Sequence, residues 1–211
     1  MDFYDEDAYR EASFVANSIA KRTADFYGIE VKDVKNFHIK NFVEEDKLAI
    51  YVEHYFKPPL DRIMLGSTQM VEGVIVLAVN KLSMIERRYF SEMHETIHAY
   101  CDPIKENGGR AFSDLVTEED YLAEDEFTEK RANCGAGILM ANDEALIYAI
   151  NKFRNFYRTA NFFFMSKGAY RNRVRTFLVF ERDCTPQYAY KLVHKYECGF
   201  GSDFYRIINV Y

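Results

Sequence analysis

Met93-His94-Glu95-Thr96-Ile97-His98-Ala99-Tyr100-Cys101 is the stretch on which the reading of this chain turns, and its centre is the pattern H-E-x-x-H at residues 94–98. On an α-helix, positions i and i+4 project from one side, roughly 40° apart on the helical wheel, so the rings of His94 and His98 can grip one zinc ion. Glu95 lies about 100° round from His94. That is too far for a third ligand, yet within reach of a water at the metal, where it can act as general base.

The arithmetic requires a helix, and the flanks supply one. Ser83 followed by Glu86 reads as a capping box, and Ile85, Tyr89, Met93, Ile97 and Tyr100 recur with helical period. The histidines fall beside this stripe, where a core-facing cleft would lie. Upstream, Leu48 to Phe56 alternates as a strand with Leu48, Ile50 and Val52 on one face, ended by Pro58-Pro59. Arg62 to Met70 is a weaker strand candidate, and Glu72-Gly73 turns the chain into the β-branched run Val74 to Val79. The expected architecture is therefore α+β: a small sheet of about three strands packed against a zinc-binding helix pair, followed by a mostly helical C-terminal part.

The rest of the chain supplies the helices. Glu6 to Tyr27 is amphipathic, ends at Gly28, and is expected to cover the sheet. Ile29 to Val43 has mixed periods and reads as a connection with a short helix. Beyond Asp102-Pro103 and Asn107-Gly108-Gly109, an acidic segment (Glu118, Glu119, Asp120, Glu124, Asp125, Glu126, Glu129) runs into a helical face at Ala132 to Met140, where Gly135 and Gly137 permit close helix approach. Further helices are expected over Asp143 to Thr159, over Gly168 to Phe180 introduced by Ser166, and over Tyr188 to Tyr196, with a final strand at Tyr205 to Val210.

Composition bounds the function. With 211 residues, 48% of them hydrophobic, the chain can bury a full core as one domain, and a net charge of -6 argues against direct nucleic-acid binding. Cys101, Cys134, Cys184 and Cys198 form no C-x-x-C, which fits reduced thiols. The acidic opening Met1-Asp2-Phe3-Tyr4-Asp5-Glu6-Asp7 is unlike a secretory signal, and no apolar run is long enough to span a bilayer. The expectation is a cytoplasmic protein with no membrane contact.

Two histidines leave a catalytic zinc one protein ligand short. His194, Cys134 and the acidic residues are the candidates, and a carboxylate gives the His2Glu set suited to peptide hydrolysis. Glu129 is preferred among the acids because it opens the second helix with Asn133 one turn on.

Taken together, these pieces resemble the ImmA/IrrE family of zinc metallopeptidases. The matching elements are Val74 to Asn80, Phe90-Ser91, His94 to His98, then about 30 residues later Glu129 with Ala132-Asn133, and Ile138-Leu139-Met140. Ser166, Ala169, Arg173 and Val174 match a further element. The likeness spans about Glu6 to Phe180, which sets 1–180 apart as a metallopeptidase-like domain and 181–211 as a C-terminal extension. The chain departs from the family pattern at Ile97, where a small residue is usual, at Gly135, where Phe is frequent, and at Ala141, where Pro is common.

The resemblance implies zinc on His94, His98 and Glu129, with Asn133 behind them and Glu95 as base. It also implies a gluzincin-like endopeptidase that cleaves a helix-turn-helix transcriptional repressor and so induces a mobile-element or stress-response operon. Arg173, Tyr100 and Tyr121 are candidates for stabilising the oxyanion. The rival reading is a non-catalytic module that docks a repressor or other partner, its metal purely structural. A second metal site on Cys184, His194 and Cys198 is a third possibility, with His194 and Cys198 one helical turn apart.

Overall fold

The run Val74–Asn80 forms the inner strand on which the helix carrying both histidines rests. In the computed structural model, residues 5–46, 48–104, 112–115 and 126–209 are described. Three strands, β1 (Ala49–His54), β2 (Met64–Val71) and β3 (Val74–Asn80), precede helix α3 (Ile85–Cys101), and a short fourth, β4 (Phe112–Leu115), follows it. The sheet order is β1-β3-β2-β4, with β1 parallel to β3 and β2 antiparallel to both of its neighbours. Glu72 and Gly73, both at positive φ (50° and 79°), make the two-residue turn between β2 and β3, a geometry that matches strand twist and favours glycine.

One row across the sheet meets α3. Tyr51, Leu77 and Thr68 are in register on adjacent strands. The Tyr51 hydroxyl lies 2.6 Å from Thr96 Oγ1, and Thr68 bonds to Glu95. This corrects the expected face of β1: Ala49 is 1% exposed, whereas Ile50 and Val52 are 45% and 38% exposed on the opposite side. Alternation defined two faces but not which of them the helix would cover. Tyr51 turns inward because its hydroxyl finds a partner there.

Helix α3 does not start with the anticipated capping box. Its N-cap is Met84, with no side-chain cap. The preceding turn is organised by Asn80 instead, whose Oδ1 accepts from Leu82 N and whose Nδ2 donates to Asp61 O and Met64 O.

Helix α1 (Glu6–Tyr27) ends at Gly28, held at φ 64°. It packs chiefly on α4 (Glu126–Met140) and not on the sheet as expected. Its buried Ala8, Ala12, Ala16 and Ala20 recur every fourth residue, a stripe small enough for close helix contact. Between α1 and β1, the ambiguous segment forms a single 3-10 turn (Val31–Asp33) and α2 (Asn36–Glu45). The Ile97 and Gly135 departures meet in space: a Cβ placed on Gly135 would sit 2.6 Å from Ile97 Cδ1. A large residue on α3 and the missing side chain on α4 therefore complement each other.

The expected Asp143–Thr159 helix is broken at Arg154, at φ 47°, into α5 (Asp143–Phe153) and α6 (Phe156–Phe162). Helix α7 (Lys167–Glu181) is capped by Ser166, whose Oγ accepts from Ala169 N, and α8 (Pro186–Glu197) follows Thr185. The last segment is not the anticipated strand but α9 (Ser202–Ile208). Phe204 and Ile208, one turn apart, are buried, and Phe204 stacks on Tyr196 at 4.2 Å. Aromatic and β-branched content resembled a strand; docking onto α8 decided for a helix. The side chains of α8 and α9 join the same hydrophobic cluster as α1, α3 and α4. No helix among the described residues is long and apolar enough to cross a membrane.

Candidate metal centre

Helix α3 supplies His94 and His98, and the first turn of α4 supplies Glu129. The two helices pack together, so three groups far apart in sequence converge. His94 Nε2 lies 3.2 Å from Glu129 Oε2, His98 Nε2 lies 3.5 Å from Glu129 Oε1, and the two Nε2 atoms are 3.0 Å apart. Donors around one tetrahedral zinc sit roughly 3.3 Å from each other, given metal–nitrogen distances near 2.0–2.1 Å.

The outer ring nitrogens determine what the inner ones present. His94 Nδ1 is 3.1 Å from Asn133 Oδ1, and His98 Nδ1 is 2.8 Å from Asp102 Oδ2. An amide oxygen and a carboxylate only accept, so each Nδ1 carries the proton and donates it. In its metal-binding, neutral form each ring then turns an Nε2 lone pair toward the other ring and toward Glu129. Three electron-rich atoms in a dry pocket repel unless a positive charge lies among them, and a divalent cation satisfies all three. A proton answers the same demand for positive charge and competes with a metal for these lone pairs. Burial alone would lower His98, but its hydrogen bonds to Asp102 and Glu129 raise it to about 9. Burial alone would raise Glu129, but the hydrogen bonds from His94 and His98 hold it at about 2. These residues can therefore hold a metal ion, and they are the one such group of three among the described residues.

Asp102 was read in the sequence only as part of a helix breaker. It is the fourth residue after His98 and caps α3, its N–H donating to His98 O. Its carboxylate is gripped in turn by Arg131, which also donates to Glu11 of α1 at 2.9 Å. A carboxylate four residues beyond a ligating histidine was the signal available for it.

Glu95 is fully buried beside the ligands. Its Oε2 accepts from Thr68 Oγ1 at 2.5 Å, and β2 comes so near that a Cβ on Gly66 would lie 2.6 Å from Glu95 Oε1. Glycine at 66 is therefore what gives the carboxylate its space. Neither Thr68 nor Gly66 was identified from sequence, because a contact across a sheet leaves no local pattern.

Arg173 is placed elsewhere, which corrects its expected role at the cleft. Its Nε donates to Ala141 O at 2.9 Å, its guanidinium pairs with Asp143, and its stem packs on Gly137. Gly137 is about 12 Å along α4 from Glu129, at 1.5 Å rise per residue. Arg173 thus ties α7 to the junction of α4 and α5. Tyr100 faces Arg22 and Asp46, and its hydroxyl is pushed up by burial. Tyr121 and the acids from Glu118 to Asp125 lie outside the described residues, as does the Asn107-Gly108-Gly109 loop.

Cys134 is on α4, where burial raises its thiol to about 11, and it is not among the converging donors. Cys184, His194 and Cys198 do not assemble into a three-donor group: Cys184 is buried, while His194 Nε2 and Cys198 Sγ are 4.0 Å apart on α8. Compared with known proteins, the chain matches no protein-family model, and no curated protein matches it either.

Proposed function

We propose that this protein is a cytoplasmic zinc endopeptidase of the ImmA/IrrE type, which cuts a helix-turn-helix repressor and thereby releases the genes it silences. The observation that carries the reading is a buried carboxylate next to a His2Glu donor set: Glu95, anchored from the sheet, directly follows one of the two histidines and precedes the other by three residues. His94, His98 and Glu129 would hold the zinc, which when bound supplies a Lewis acid and lowers the pKa of water to about 7. Glu95 takes a proton from the attacking water and passes it to the leaving amine. Thr68 fixes the carboxylate's orientation, Asn133 and Asp102 fix the ring tautomers, and the packed helices exclude bulk water. The substrate class rests on the family resemblance, and the net charge of -6 suits docking to a basic DNA-binding protein.

Incubation with zinc and a helix-turn-helix repressor encoded beside this gene tests the reading. Cleavage by the wild type and none by Glu95→Gln, at equal zinc content, is expected; equal cleavage by both sinks it. One observation favours a purely structural metal: His94, Glu95 and His98 are 0% exposed and Glu129 only 4%, and structural sites are closed. Under that second reading Glu95→Gln leaves cellular activity intact, while Glu129→Ala removes it.

A further inference from the structure

Helices α6, α7 and α8 line a separate open cleft of about 550 Å³ that shares no residue with the metal group. Its lining includes two arginines, two tyrosines and His194, a cationic and aromatic concentration in a chain of net charge -6. The arginines differ in what they do. Arg171 is neutralised by Glu197, to whose two oxygens its Nε and one Nη donate at 3.0 and 2.6 Å. Arg175 has no such partner among the described residues: its Nε is buried without a hydrogen bond. Its guanidinium carbon lies 4.5 Å from the centroid of the Tyr190 ring. A guanidinium laid over a ring is held in place by its face, which leaves the in-plane N–H edge to meet an oxyanion.

An imidazole and one further cation flank these rings. The His194 ring lies nearly parallel to Tyr190, at 19° and 6.5 Å, and Lys167 Nζ sits 4.9 Å from the ring centroid of Tyr157, which also lines the cleft. The volume is far more than a bare inorganic anion fills and falls in the range of small-molecule sites.

We propose that this cleft binds a small organic phosphate, its phosphoryl oxygens on the Arg175 edge and its organic body against Tyr157 and Tyr190. A planar fork matches phosphate bidentately, and the lysine alongside adds a second cation, which favours a dianion over a single carboxylate. The site is independent of the peptidase reading, since none of its residues serves the metal centre.

Calorimetric titration of the full-length, metal-loaded protein with phenyl phosphate tests it. Saturable one-to-one binding is expected, competed by inorganic phosphate and not reproduced by phenol. Arg175→Gln is expected to weaken it roughly tenfold or more, and Arg175→Lys, which keeps the charge without the fork, also to weaken it, at unchanged melting temperature and zinc content. Arg175→Lys serves alone if the glutamine variant does not fold. Three results overturn the proposal: no saturable heat at millimolar phenyl phosphate, affinity unchanged in the folded Arg175 variants, or benzoate binding more tightly than phenyl phosphate.

Discussion

His98 is held at both ends of its ring: Nε2 faces Glu129 and His94, and Nδ1 donates to Asp102, which Arg131 grips while also donating to Glu11. Burial opposes charge on Asp102, yet His98 and Arg131 keep its carboxyl below the ordinary carboxylate range, so it stays an ionised acceptor. An ionised partner makes the opposite nitrogen a better metal donor. Asp102→Asn is therefore expected to weaken zinc binding roughly 10- to 100-fold, the usual cost of losing such support, measured by competition against a chromogenic chelator. Unchanged affinity would reduce Asp102 to a helix cap. The donors His94 and His98 could be read from spacing alone. Asp102 could not, because a carboxylate after a helix is most often just a terminator, and only the folded ring shows what it meets.

At the scale of elements, α3 and α4 approach closely because Ile97 occupies the space a side chain at 135 would take. Gly135→Ala gains about 1 kcal/mol of helix propensity but overpacks the interface at a cost of about 1–3 kcal/mol. The net expectation is destabilisation. Ile97→Ala alone costs about 2–5 kcal/mol, and the double variant is expected to lose less than the sum, because truncation at 97 vacates the space that the added methyl at 135 fills. Urea denaturation of the four proteins closes the cycle, and strict additivity would show that the two positions do not share the space.

Most helices were legible because period and caps are local: α1 stops at Gly28 and α7 starts after Ser166. What was not legible depended on neighbours. The inward face of β1 was decided by the Thr96 hydroxyl, and the helical form of Ser202–Ile208 by stacking on Tyr196. The destination of α1 was decided by the alanine stripe finding α4.

For the molecule as a whole, the donor group lies at the joint between the N-terminal layer and the helical remainder, since α3 touches the sheet on one side and α4 on the other. Filling it should therefore stabilise the entire fold. At free zinc of about 1,000 times the dissociation constant, the gain is about 4 kcal/mol. For a chain of this length that amounts to a rise of about 8–16 °C in melting temperature. Scanning calorimetry with zinc and with chelator is expected to show that rise in the wild type and to lose most of it in Glu129→Ala. A melting temperature indifferent to zinc in the wild type would mean that the three donors do not act as one site.

The row Tyr51, Leu77, Thr68 also governs how α3 is turned about its own axis. Thr96 and Glu95 are consecutive, so their side chains leave the helix about 100° apart, and each is tethered to a different strand. Two tethers at different azimuths prevent the helix from rolling, which apolar packing alone would resist only weakly. The compass bearing of both imidazoles is thus set by the sheet behind them, and loosening either hydroxyl contact would swing the ligands away from Glu129 without touching a ligand.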